Sequence, residues 1–270
     1  MARWLLDCRP MCGYQWRLGV ATEDRERDAL FRLRYDVFVT EMGYGHAGTN
    51  AGPGLDADAF DSWCDQLFLY DEERGRVVGT YRALFGTDAL RHGGFYAGDE
   101  FDLSPLEPIA HQILQGGRAC VAAEYRSTLA FQYLSYGMEL LLREYGCRYL
   151  LGMDSFRADL DEVCRINSFV RQYRTDPEWV VPPWEANRVA GLRDVPVTPA
   201  DERTLPEVVR MDMRMGFLVC GAPAWDPGFR CYDLPVLGRR DRFTRSYTGV
   251  VERIERHVRA SHVAPEGSPP

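Results

Sequence analysis

The sequence predicts an α/β domain in which a mixed central sheet is flanked by helices, and three observations carry that expectation. QLFLYD (66–71) and VVGTYRALF (77–85) are strand-length apolar runs on either side of the turn EERGR, the pattern of a hairpin. LAFQYLSYGMELLLREYG (129–146) and ADLDEVCRINSFVRQY (158–173) carry apolar residues at helical spacing. The short apolar runs GRACVA (117–122) and RYLLGMDSF (148–156) each precede one of these helices. Hairpin, strand, helix, strand, helix implies antiparallel followed by parallel pairing.

Residues 1–22 read as an N-terminal extension and 23–259 as a single domain. A helix is expected over 23–42, with Thr22 as N-cap and Glu23, Asp24 and Glu26 in its first turn. The Gly-, Ala- and Asn-rich stretch 43–57 reads as a loop. Gly146 suits the C-cap of helix 129–146. After residue 175, DPEWVVPPWE suggests an irregular crossover. The segment LPEVVRMDMRMGF (205–217), a strand near FRCYDLPVL (229–237) and a helix at 245–259 close the domain, and 260–270 reads as a disordered tail.

Composition removes several classes of function. A net charge of −8 argues against nucleic acid as the main partner. All 32 basic residues are arginines, so a lysine Schiff base, a pyridoxal phosphate anchor and a Walker-type phosphate loop are excluded. The eight cysteines are scattered through mostly apolar segments and read as reduced, buried thiols; Cys8 and Cys12 lack a second ligand pair, so no metal is expected. With no bilayer-length apolar run and too short an N-terminal apolar segment for a secretory signal, the expected location is the cytoplasm.

Four groups of polar residues stand out. Arg34 falls near the face of the first helix that buries Phe31, Val37 and Phe38, and Tyr44 follows that helix. DADAFDSWCD holds Asp56, Asp58, Asp61 and Asp65; Arg82 lies within a strand that reads as buried; and GGRACVAAEYRS holds Arg118, Glu124 and Arg126. A buried arginine must be paired, and the acidic set is the simplest partner. A structural ion-pair cluster is the simplest outcome of that pairing. The turn AAEYRSTLAF lacks the glycines of a diphosphate cradle, yet a strand still feeds a helix N-terminus there. One phosphate, held by backbone N–H groups and Arg126, fits better than several, which favours phosphopantetheine on a carrier protein over coenzyme A.

In this order, RYDVFVTEMGY, DAFDSWCDQL, RVVGTYRAL, GGFYAGDEFDLSPL, GRACVAAEYR and YLLGMDSF resemble the bacterial ornithine-lipid type N-acyltransferases, and VVRMDMRMGFLVCGAPAWDPGFRCYDLPVL resembles the end of that family. The resemblance spans roughly residues 30 to 250. It implies a GNAT-like fold and transfer of a 3-hydroxyacyl chain from acyl carrier protein to the α-amine of a small amino acid acceptor such as ornithine. No cofactor is implied beyond the donor's phosphopantetheine arm. More distantly the pattern resembles acyl-homoserine lactone synthases, whose polar site matches Arg34, Phe38, Tyr44 (where tryptophan is usual), Asp58, Asp61, Arg82 and Arg118. The resemblance thus implies that Arg34 faces the acidic set across a cleft for a charged amino acid, with Phe38 and Tyr44 in its wall.

Two positions depart from the family. Gln115 stands where a glutamate, the favoured general base, is usual, and GMDSF adds Asp154. The base is therefore Asp154 or Glu124 acting through water, or the amine enters already deprotonated, or the enzyme is weakened. Backbone N–H groups of the strand from Arg118 to Val121 are candidates to polarise the thioester carbonyl, and Cys120 reads as packing rather than as a nucleophile. The rival readings are a lactone synthase and a weakened scaffold that binds acyl carrier protein. Arg239, Arg240, Arg242 and Arg245 suggest a docking or interfacial patch, so peripheral membrane association is a further expectation.

Overall fold

A computed structural model describes residues 2–7, 14–44 and 52–263. Cys8, Cys12, residues 45–51 of the loop expected over 43–57 and residues 264–270 lie outside the described residues, whereas 260–263, expected as the start of a disordered tail, continue the last helix.

The segment read as an extension supplies two strands, β1 (Arg3–Asp7) and β2 (Trp16–Val20). Leu18 and Val20 of β2 are buried, but five residues interrupted by arginine and glycine carry too little alternation to announce a strand. Helix α1 (Asp24–Arg34) follows, capped reciprocally by Glu23 and Glu26 rather than by Thr22. Beyond Arg34 it widens into a π-helical run, Tyr35–Glu41, where a regular helix was expected. The hairpin is β3 (Asp65–Asp71) and β4 (Arg76–Phe85), and a short helix α2 (Gly86–Arg91) leads into 3-10 turns before β5 (Ile113–Val121).

Then come α3 (Ala130–Glu144), β6 (Tyr149–Phe156), α4 (Leu160–Tyr173), α5 (Glu207–Met215), β7 (Phe217–Val219), β8 (Ala224–Asp226), β9 (Cys231–Arg239) and α6 (Arg245–Val263). The strands form one sheet in the order β1-β2-β3-β4-β5-β6-β9-β7, with β8 paired to β9. This is a mixed sheet flanked by helices, the class expected.

Strand alternation divides the core between the two faces. Leu67, Leu69, Leu114, Leu150 and Val236 pack beneath α3 to α6, as shown by their cluster with Tyr133, Phe169, Val209 and Ile254. Leu84, Ile113, Leu151 and Leu237 point to the other face, with Tyr96, Phe101 and Leu106. Leu30 of α1 packs with Phe68 toward the sheet's outer strands. All six described cysteines are buried and unpaired. No helix among the described residues is long and apolar enough to cross a membrane.

Two features of β5 shape the site. It begins four residues before the expected start, because Gly116 and Gly117 hide the strand in the sequence; a Cβ on Gly116 would come within 2.9 Å of Tyr81, and one on Gly117 would run into the Tyr96 hydroxyl. Its pairing with β6 is the only parallel ladder among the described residues, and it covers only Ile113–Tyr149, Leu114–Leu150 and Gln115–Leu151. Beyond Gln115 the strands part, β5 continuing on β4 and β6 on β9.

Candidate active site

At this parting β5 carries a bulge. Its ladder with β4 runs from Arg82–Gly117 to Thr80–Cys120, which leaves Arg118 and Ala119 opposite Tyr81. Arg118 adopts a left-handed backbone, with φ of 51°. Such a conformation is costly for a residue with a side chain, and bulges re-aim side chains next to sites. Here the guanidinium is turned to the face that holds Arg82 and Asp58.

Three arginines and three aspartates meet on this face. Arg34 is fully buried; its Nε lies 3.1 Å from Asp56 Oδ2, and its two terminal nitrogens donate to the two oxygens of Asp61 at 2.8 and 3.1 Å. Arg82, 1% exposed, donates through one nitrogen to both oxygens of Asp58 at 2.7 Å and lies 3.3 Å from Asp61. Arg118 reaches Asp58 at 3.2 Å and Asp56 at 3.4 Å. Burial pushes the Asp61 carboxyl up, but Arg82 and Arg34 outweigh it and hold Asp61 well below the usual carboxylate range. Burial lowers Arg118, helped by the like charge of Arg82.

This arrangement corrects the cleft expected for Arg34. Its guanidinium is enclosed and already paired, so Arg34, Asp56 and Asp61 are the inner, structural part of the cluster. Asp58 and Arg118, with side chains 16% and 19% exposed, form its outer rim. The rim has aromatic neighbours: Arg118 lies 4.5 Å above the ring of Phe229, and Phe229 meets Tyr44 edge-on at 5.9 Å. Arg157 stacks on Tyr44 at 4.4 Å and donates to the carbonyls of Met42 and Gly43, fixing the end of the π-helical run. Phe38, on that run, is half-buried.

The other predicted residues are placed elsewhere. Gln115 is completely buried at the last rung before the strands part, and neither atom of its amide has a partner. Asp154 alternates with Leu150 and so faces the opposite side of the sheet, hydrogen-bonded to Asp212 of α5; burial and that second carboxyl raise it well above the carboxylate range. Glu124 is exposed and ion-paired with Arg76. Neither carboxylate joins the arginine cluster. Arg126 donates to the carbonyl of Val121 at 3.0 Å and pairs with Glu41. The N–H groups of Tyr125, Arg126 and Thr128 are committed to carbonyls within their own turn. Cys120 and Val121 are buried in β5, and burial pushes the Cys120 thiol up to about 12. Of the arginine patch, Arg239 pairs with Glu178 at 2.9 Å and Arg240 with Glu139 at 3.2 Å.

A second polar group was not foreseen. Glu100, in the loop after the 3-10 turn Tyr96–Asp99, lies with Asp233 of β9 and near Asp226 of β8. Its loop is pinned by the tryptophan-rich crossover, where Trp184 N–H donates to the Glu100 carbonyl at 2.8 Å and the Trp184 indole to the Gly98 carbonyl at 2.7 Å. Burial and Asp233 push Glu100 up to about 10, and burial also raises Asp233. Tyr44 borders the same region: burial and the nearby Cys231 and Asp233 raise its phenol. The carboxyls come from segments far apart in sequence, so no local pattern marks them.

A family profile described as an acetyltransferase (GNAT) domain matches residues 33–136. The L-ornithine Nα-acyltransferase of Agrobacterium fabrum is 29% identical over 254 residues, covering 87% of this chain and 86% of its own. Those of Brucella abortus and Rhodobacter capsulatus are each 28% identical over 232 residues, with 81% and 82% of this chain and 82% and 89% of their own covered. The chain is similar to these ornithine N-acyltransferases over most of its length, and it is an acyltransferase with a GNAT domain. Among solved structures, the N-acyl amino acid synthase FeeM from uncultured soil microbes matches with a TM-score of 0.49 at 11% identity, covering 89% of this chain and 98% of its own. The acyl-homoserine lactone synthase BjaI matches with a TM-score of 0.46 at 14% identity, covering 89% and 93%. In this acyltransferase the parted strands, the rim of Asp58 and Arg118, and the aromatic pair Tyr44 and Phe229 are adjoining features of one molecule.

Proposed function

We propose that the enzyme moves an acyl chain from the phosphopantetheine thioester of an acyl carrier protein to the α-amine of ornithine. The observation that carries this reading is the parting of β5 from β6 after Gln115 and Leu151, beside the rim of Arg118 and Asp58. Past that point the facing edges of both strands carry backbone N–H and C=O groups outside the ladder. An extended pantetheine arm has amides suited to them, as a peptide suits a sheet edge. The names of the curated relatives supply the acceptor.

The chemistry is one substitution. The neutral amine nitrogen attacks the thioester carbonyl carbon, an N–C bond forms, the C–S bond breaks, and the amine proton ends on the departing sulfur. Products are an amide and the free pantetheine thiol. Residues of the β5 bulge lie outside the regular ladder, so their N–H groups are candidates to hold the developing oxyanion. Arg118, partly exposed, is suited to the acceptor's α-carboxylate. Because Gln115 cannot act as a base, and Asp154 and Glu124 lie apart from the arginine cluster, the amine enters deprotonated.

The donor is a carrier protein rather than coenzyme A because the turn after β5 offers little to a diphosphate. Several of its N–H groups are committed within the turn, and Arg126 is paired with Glu41. The enzyme works in the cytoplasm, where acyl carrier protein is found.

The test is mass spectrometry of lipid extracts from cells expressing the chain beside an Arg118→Ala control. An N-acyl amino acid present only with the wild-type enzyme is expected, and its mass names both substrates. Absence of product from folded protein supplied with acyl carrier protein donors of several chain lengths would overturn the reading.

A further inference from the structure

An acceptor with two amines must present the correct one, and the chain carries a second polar group that the acyl-transfer step leaves unused. Glu100 is 8% exposed and Asp233 2%, and the two carboxyls are hydrogen-bonded to each other. They come from opposite directions: Glu100 from the pinned loop after Tyr96–Asp99, and Asp233 from β9, where it shares a rung with Ser155 of β6. Asp226, on the neighbouring strand β8, adds a third carboxyl. Asp226 Oδ1 accepts the N–H groups of Gly228 and Phe229 at 2.7 and 3.1 Å, which sets the hairpin tip that carries Phe229.

Two observations separate this group from a solvated acidic patch. First, no arginine or histidine among the described residues pairs with Glu100, Asp226 or Asp233, whereas the aspartates next door share three arginines. Second, Glu100 Oε2 is buried and receives no N–H or hydroxyl donor, the Glu100 carboxyl having only that of Asp233 beside it. A buried carboxyl oxygen with a donor missing is costly unless something supplies that donor. Tyr44 and Phe229 stand beside the group, and aromatic faces suit an organic cation. The group shares a sheet face with Gln115 and Arg82, as strand alternation requires of Asp233 beside Leu237.

We propose that Glu100 and Asp233, with Asp226, form the subsite that receives the side-chain ammonium of a diamino acid acceptor, leaving its α-amine to the parted strands. This rests on the acyl-transfer reading for its setting but is tested apart from it. An ammonium carries three donors and no acceptor, which suits a group of acceptor oxygens that, among the described residues, no arginine or histidine pairs with, Arg118 acting on Asp233 only from a distance. Arg118, on the carboxylate end of the acceptor, and Glu100 with Asp233, on the ammonium end, would together fix the orientation of the molecule and select which nitrogen reacts. A neutral side chain of equal length would leave the carboxyls unpaired, so discrimination comes from the penalty as well as from the attraction.

The experiment measures binding and turnover of ornithine against norvaline, its uncharged counterpart, for the full chain and for Asp233→Asn and Glu100→Gln. Calorimetry in buffers of different ionisation heat is expected to show ornithine bound on the order of 100-fold more tightly than norvaline, with protons released, because the cation displaces the proton that the carboxyls hold. In either variant the preference is expected to fall at least about tenfold. The same ratio is then read from kcat/KM with an acyl carrier protein thioester. An unchanged preference in both folded variants overturns the subsite. So does tight binding of Mn²⁺ or Zn²⁺ that ornithine fails to displace, since Asp226, Cys231 and Asp233 hold ligand atoms within 4.8 Å of one another. Selective ornithine binding without any acyl transfer would sustain the subsite and defeat the acyl-transfer reading.

Discussion

Two ionic groups lie on the same face of the sheet, and they are built in opposite ways. In the arginine–aspartate cluster each charge has a partner: Arg34 with Asp56 and Asp61, Arg82 with Asp58 and Asp61, Arg118 with Asp56 and Asp58. In the Glu100–Asp233 group the carboxyls have each other, a serine and the Cys231 thiol, with no arginine or histidine among the described residues paired to them. The first group ties α1, the loop 52–64 and the hairpin together. The second keeps an unmet demand for a cation. A matched network holds a fold, and an unmatched one next to it is where a ligand adds something the protein lacks.

The largest effect that would break this contrast is on folding. Removing one partner of a buried pair strands the other, at a cost of about 3–5 kcal/mol. Asp61→Asn should therefore lower stability by up to that amount in urea denaturation, because Arg34 and Arg82 each lose one of two carboxylates and keep only Asp56 and Asp58. A loss below about 1 kcal/mol would mean the cluster is not the structural one.

Acidity should separate the groups next. Asp61, held low, contributes stability that is present above the unfolded carboxylate value and is lost as pH falls through its folded value. Glu100 does the reverse. The unfolded chain ionises near 4.5, while the folded one keeps its proton up to about 10, so stability is fullest below that window and declines as pH rises through it. Glu100→Gln should flatten the decline, which proceeds at up to about 1.4 kcal/mol per pH unit for one proton. Denaturation midpoints from pH 5 to 9 measure it, and parallel wild-type and variant curves would count against a protonated Glu100.

Turnover sharpens the roles further. If the acceptor enters as the neutral amine, log kcat/KM of the wild type should rise with slope one below the amine's own value. Gln115→Glu would place a carboxylate at the parting of the strands, with a gain on the order of tenfold or more at neutral pH and a flatter profile. An unaltered profile would leave proton removal to some other group. The smallest effect belongs to Glu124, whose exposed pair with Arg76 predicts a stability change below about 1 kcal/mol and turnover within about twofold for Glu124→Gln.

Much of the scaffold was legible because it is local. The hairpin, α3 with Gly146 at φ of 65° past its end, and β6 followed by α4 all declare themselves by periodicity and turn chemistry. What escaped has weak local signals: β1 and β2 are short and broken by polar residues, and the start of β5 is masked by Gly116 and Gly117. Those glycines are there because Tyr81 and Tyr96 occupy the space a side chain would need, a demand made by residues distant in sequence.

The site divides along the same line. Sequence by itself determined that Arg34 must be paired and that the aspartates of DADAFDSWCD were available to do it, because an unpaired buried charge is prohibitively costly wherever it sits. It also determined that no lysine takes part in any step. Only the tertiary structure decided which arginine stays at the rim, by a bulge that turns Arg118 toward Asp58. Only it placed Asp154 on the far face, since a strand shows alternate residues to opposite sides and the face depends on what packs there. And only it brought Glu100 to Asp233, 133 residues later in the chain, because contact across a sheet is set by the order of strands and the pinning of one loop, neither of which is written in any local run of residues.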